Sequence, residues 1–208
     1  MKIQLDKRVL FGFLPALNLM TGHQVYAQHE KAVSLTYTVS APDQWTVEHF
    51  SLPPEFSPDL DWKGEEEVRL HPDWARADKD GYWSYVFFWW IEQTNTINSL
   101  TLKKKLQVYY DGLLNHFAIP NKIPKEKIFP ADVTVTKMEP DGDDKETYRA
   151  EVKMLSFMNQ VPVVLHVVLH VKDADAGRRT AIRVDASPKP LDHAIWKALE
   201  DIKVTIKP

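Results

Sequence analysis

The sequence predicts an α+β fold: a curved antiparallel sheet, a meander of four or more strands, with one long amphipathic helix packed on its dry face and a short C-terminal helix. Three observations carry this expectation. One segment, Ser99 to Phe117, repeats its apolar residues with the helical period. Shorter segments on both sides of it alternate with period two. Those after the helix are joined by brief polar stretches, which suit hairpins, whereas parallel strands need a long crossover.

The chain opens with Lys2, Lys7 and Arg8 against Asp6, then a mainly apolar run from Val9 to Met20, then Val25-Tyr26-Ala27 ahead of Gln28. This is the three-part pattern of a secretory signal peptide over residues 1–27. The run is too short to cross a bilayer as a stable helix, and Pro15 and Asn18 weaken it further. The expected mature protein is therefore residues 28–208, exported to the periplasm or the extracellular space, with no stable transmembrane segment after signal removal. Losing three positive residues and one negative one takes the formal net charge from -3 to -5. A chain of that length makes a single domain. Residues 28–62 are either part of it or a peripheral N-terminal arm.

Val33, Leu35, Tyr37 and Val39 alternate with Ser34, Thr36, Thr38 and Ser40, the pattern of a strand with one wet face. A turn at Pro42-Asp43-Gln44 leads to a short strand at Trp45–Glu48. Ser51 to Trp62, with Pro53, Pro54 and Pro58, reads as an ordered loop anchored by Leu52, Phe56 and Leu60. Glu65 to Leu70 is extended, and Pro72 to Asp80 is loop.

Tyr82 to Glu92, YWSYVFFWWIE, is the most informative stretch, with seven aromatic residues in its first nine. Trp83, Tyr85, Phe87, Trp89 and Ile91 form one alternating set; Tyr82, Val86, Phe88 and Trp90 form the other, interrupted by Ser84. A strand apolar on both faces must be covered on both, by packed elements or by a ligand cleft, and belongs near the middle of a sheet.

In the helix, Leu102, Leu106, Tyr109, Leu113 and Phe117 build one stripe, Asn98 or Ser99 caps the first amides, and Pro120 stops it. Lys103-Lys104-Lys105, the densest basic cluster, reads as a solvated face. Four strands follow, Asp132–Met138, Thr147–Phe157, Val161–Val171 and Thr180–Asp185, separated by turns at 140–144, 158–160 and 172–177. Leu191, Ile195, Trp196 and Leu199 suggest the short helix, and Ile202, Val204 and Ile206 a closing strand.

Composition and motifs exclude several chemistries. With no cysteine, thiol catalysis, iron–sulfur clusters, Cys-ligated zinc and disulfides are ruled out. An acidic balance without a long basic stripe argues against nucleic acid as a partner. There is no G-x-S-x-G, no S-x-x-K, no Rossmann glycine pattern and no phosphate loop, so no cofactor is expected. His166 and His170 have a metal-like spacing, but on a strand their α-carbons lie roughly 13 Å apart at ~3.3 Å per residue, too far to share one zinc ion. Asp78-Lys79-Asp80-Gly81 lacks two oxygens that a calcium loop needs, and Asp141, Asp143 and Asp144 read as a solvated hairpin turn.

Candidate ligand-binding residues are then Tyr82, Tyr85 and Trp90 on the aromatic strand, Glu92 at its end, and His166 and His170 on a shared face. Aromatic rings stack on sugars and line apolar pockets. They point to non-catalytic binding of a small apolar or carbohydrate-like ligand, unless the rings simply fill the core. An envelope interaction or structural component with a protein partner is the alternative, and a hydrolase using carboxylates or histidines is a third reading without a motif behind it.

Overall fold

The computed structural model describes residues 36–92 and 97–207; the signal-peptide segment and Val33 and Leu35 of the first expected strand lie outside the described residues. Nine strands and two α-helices follow in order: β1 (Tyr37–Val39), β2 (Thr46–Leu52), β3 (Gly64–Leu70), β4 (Tyr85–Glu92), α1 (Ser99–Ala118), β5 (Asp132–Met138), β6 (Glu146–Leu155), β7 (Pro162–Ala174), β8 (Arg179–Ser187), α2 (Ile195–Glu200) and β9 (Val204–Ile206). The fold is α+β, as the periodicities predict.

Seven strands form one fully antiparallel sheet in the order β2-β3-β4-β8-β7-β6-β5. It is two meanders, β2–β4 and β5–β8, joined where the last strand of each lies side by side. The segment containing α1 connects them. β1 and β9 pair antiparallel as a separate two-stranded sheet, with Tyr37 opposite Ile206. The closing strand therefore meets the first strand and not the main sheet.

The aromatic strand β4 sits third in the sheet, between β3 and β8, and is covered on both faces by protein. Tyr85, Phe87, Trp89 and Ile91 point to α1 and join the main core with Leu102, Leu106, Tyr109 and Tyr110. On the opposite face Val86 packs with Trp196 and Leu199 around α2, and Phe88 and Trp90 pack with Tyr37. Ring centroids of Tyr37 lie 5.0 Å from Phe88 and 5.2 Å from Trp90. Alternation fails at Tyr82, which packs on the helix side with the other set. The reason is Trp83, whose φ of 52° breaks the extended backbone just before β4 begins.

Asn98 caps α1, its side chain accepting from the Thr101 amide at 2.9 Å. The buried stripe is Leu102, Lys105, Leu106, Tyr109, Tyr110, Leu114 and Ala118, with Leu113 and Phe117 only partly buried, so it is rotated from the apolar spacing. Lys105 departs from the expected solvated face: Lys103 and Lys104 are exposed, but Lys105 lies over the Trp62 ring and pairs with Asp61. Its aliphatic stem covers apolar surface while the ammonium reaches a carboxylate at the rim. No helix among the described residues is long and apolar enough to cross a membrane.

Candidate functional site

A cleft of about 520 Å³ opens on the sheet face that carries β1, β9 and α2. One wall is the β5–β6 turn, Asp141 to Asp144; the other is β9 with Lys203; His170 and Lys172 of β7 and Arg183 of β8 stand between them. The volume suits a small molecule.

Strand alternation positions these groups. In β7 the odd-numbered Leu165, Val167, Leu169 and Val171 are buried under α1, which turns His166, Val168, His170 and Lys172 to the opposite face. His170 is in register with Arg183 of β8. The turn residue Asp144 leans over β7, its side chain only 3% exposed. His170 Nδ1 donates to Asp144 Oδ2 at 2.7 Å, and the Thr147 hydroxyl donates to the same oxygen at 2.8 Å. Thr147 Oγ1 in turn accepts from the Asp141 amide at 2.9 Å, which holds the turn against the strand. A carboxylate accepting at Nδ1 fixes a proton on that nitrogen and orients the ring, and Nε2 has no partner among the described residues.

The charged groups around the cleft are largely paired with one another. Lys172 meets Asp143, with Asp144 at 3.7 Å, and holds the Asp143 carboxyl below the usual carboxylate range. Arg183 donates to both oxygens of the buried Asp185, at 2.7 and 2.9 Å, and to the carbonyls of Leu199 and Ile202. Its role is structural: it clips the α2–β9 connection to the sheet. Lys203 donates to the Glu200 carbonyl at 2.8 Å. Among the described residues no group of three or more His, Asp or Glu side chains could hold a metal ion.

Of the six residues singled out from the sequence, only His170 lines this cleft. Tyr85 is 3% exposed and its hydroxyl meets that of Tyr110 at 2.6 Å; Trp90 is 5% exposed beside Tyr37. Tyr82 lies at the far end of β4, its hydroxyl 2.7 Å from Ser156 Oγ. Glu92 is exposed at the other end of the strand, 4.0 Å from Arg179. His166 shares the His170 face, with Glu151 at 3.8 Å. The structure does not bring the six together. Thr147, Lys172 and Lys203 were not singled out by their sequence surroundings, and Asp144, expected on a solvated turn, instead has a buried side chain. The signal that could have found Asp144 is the hairpin itself: folding β6 back on β7 sets Thr147 opposite His170, with Asp144 three residues earlier.

No family model matches the chain, and no curated protein matches it.

Proposed function

We propose that this chain is an exported, non-catalytic binding protein that holds a small, neutral, polyhydroxyl molecule of the sugar class in the cleft at His170. The observation that carries this reading is the pairing of the charges around the cleft. Lys172, Asp143, Asp144 and Arg183 already have counter-charges, so the lining offers hydrogen-bond donors and acceptors with little net charge. A strongly charged ligand would have to break these pairs, whereas hydroxyl groups can bond to them as they stand. Val204 and Ile206, both half-buried on β9, contribute apolar surface against which a ring could lie. The aromatic strand supports the reading only indirectly: β4 lies beside β8 in the sheet, and its Phe88 and Trp90 pack under β1 and β9. The N-terminal signal pattern supports export.

The test is native mass spectrometry on the protein recovered from its own host's envelope fraction, followed by titration with a saccharide panel. A discrete extra mass lost on denaturation, a mature N-terminus at Gln28, and loss of binding in His170→Gln and Lys172→Gln are expected. A bare protein that no saccharide stabilises would end the proposal.

A second reading has one specific observation in its favour. The Asp144–His170 pair orients an imidazole with Nε2 unpartnered, as a general base is oriented. Turnover of chromogenic glycosides or esters, abolished by His170→Gln, would favour this reading over simple binding.

A further inference from the structure

One end of the sheet carries apolar side chains that the fold leaves uncovered. α1 ends there, the chain runs through residues 119–130 to reach β5, and the β6–β7 hairpin turns at the same end. Ile119 is 87% exposed, Val161 54% and Phe129 40%. Gln160 Nε2 donates to the Asn121 carbonyl at 3.1 Å, tying the hairpin tip to the turn after α1. Phe117 and Phe157 stack behind that joint with centroids 4.4 Å apart. Ile119 and Val161 therefore belong to one surface, and Phe129 lies on the stretch of the loop that leads into β5.

The same loop holds Lys122, Lys125 and Lys127, all exposed, against the single acidic residue Glu126. None of the three lysines makes an ion pair among the described residues, and two of them flank Glu126 on a single 3₁₀ turn. In a chain whose formal net charge is -3, this is a local reversal of sign around the exposed apolar tips. Isolated exposed apolar residues are ordinary on a protein surface. Exposed apolar residues and lysines interspersed along one loop, with Val161 on the adjoining turn, have the chemistry of an interfacial anchor, in which ammonium groups meet headgroup phosphates and short apolar side chains enter the acyl boundary.

We propose that this end of the sheet docks on an anionic lipid surface through Ile119, Phe129 and Val161 with Lys122, Lys125 and Lys127. The cleft at His170 lies at the opposite end of the β5–β6 hairpin. The ten residues of β6 separate the two ends, roughly 30 Å at ~3.3 Å per residue. Docking leaves the cleft open to water, so the inference stands independently of what the cleft binds.

Co-sedimentation of the full chain with vesicles tests it, comparing phosphatidylcholine alone with an equal mixture of phosphatidylcholine and phosphatidylglycerol. Binding to the anionic vesicles alone, weakened by added salt, is expected. Each lysine changed to Gln should cost roughly fivefold in partitioning, and Ile119→Ser should weaken binding with the circular dichroism spectrum unchanged. Equal binding of the K122Q/K125Q/K127Q variant, which keeps the apolar run at 9–20, would overturn the proposal by placing the anchor elsewhere. Absence of binding to anionic vesicles would overturn it too, as would sedimentation velocity showing a dimer abolished by Ile119→Ser, since the patch would then be a contact between copies.

Discussion

Tyr109 of α1 donates its phenolic hydrogen to Glu66 Oε1 of β3 across 2.6 Å, inside the main core, while the other carboxyl oxygen has no partner. Glu66 is fully buried, and the indole Nε1 of Trp89, its cross-strand neighbour, is also unpartnered. Burial pushes the Glu66 carboxyl up from 4.5 to about 8, against the opposing effects of the Tyr109 hydroxyl and the nearby Trp89 indole. In the folded state this carboxyl keeps its proton over a range where the unfolded chain has lost it. Stability is therefore full below the unfolded value, falls as pH rises from about 4.5 towards 8, and levels above that. The limiting slope is about 1.4 kcal/mol per pH unit. Denaturant melts across this window should show the decline, and Glu66→Gln should flatten it. An unchanged slope in the variant would assign the pH dependence to other groups.

Arg183 and Asp185 form an ion pair that also fastens the chain end to the sheet, because the guanidinium holds the Leu199 and Ile202 carbonyls. Removing only the cation strands the buried Asp185 carboxylate. Arg183→Met should cost about 3–5 kcal/mol, and Arg183→Met combined with Asp185→Leu should recover a large part of it. Urea denaturation of the single and double variants measures this. A double variant no more stable than the single one would mean the carbonyl contacts, not the ion pair, dominate.

Gly112 sets helix propensity against packing. Alanine there would gain about 1 kcal/mol of intrinsic helix stability, but its Cβ would lie 2.4 Å from the Phe56 carbonyl oxygen and 2.8 Å from Ser57 Cβ. The Ser57 hydroxyl donates to the Val108 carbonyl at 3.0 Å, so this loop is fastened to the helix and cannot easily retreat. Gly112→Ala should destabilise by about 1–3 kcal/mol. A raised Tm would show that the loop yields.

Ser156 is fully buried and accepts from Trp83 Nε1 at 3.0 Å, with the Tyr82 hydroxyl at 2.7 Å. It joins the 71–84 loop to the β6–β7 turn. Ser156→Ala leaves a buried indole N–H without an acceptor and should cost about 1–3 kcal/mol. Thermal melts followed by tryptophan fluorescence would register the loss, and a change within error would mean that another acceptor takes over.

Much of the fold was legible locally. The four-and-three spacing from Leu102 placed α1, with Asn98 one of its two candidate caps, and period-two patterning placed β5 to β8, since each periodicity depends only on neighbours in the chain. The double apolar face of β4 correctly implied a central strand covered on both sides. What covers those sides was not legible. Tyr37 reaches Phe88 and Trp90 only because β1 pairs with β9, at the far end of the sequence.

Local patterning specified the fold class, the long helix and the strands β5 to β8, because backbone geometry imposes a fixed period on whichever residues face the core. Tertiary structure alone decided that the aromatic strand is walled in by protein, that Lys105 lies under Asp61 and over Trp62, and that His170 meets Asp144 at a cleft completed by Lys203. Those relationships join residues from different strands and turns. They depend on which surfaces the connections bring together, and no local period encodes that.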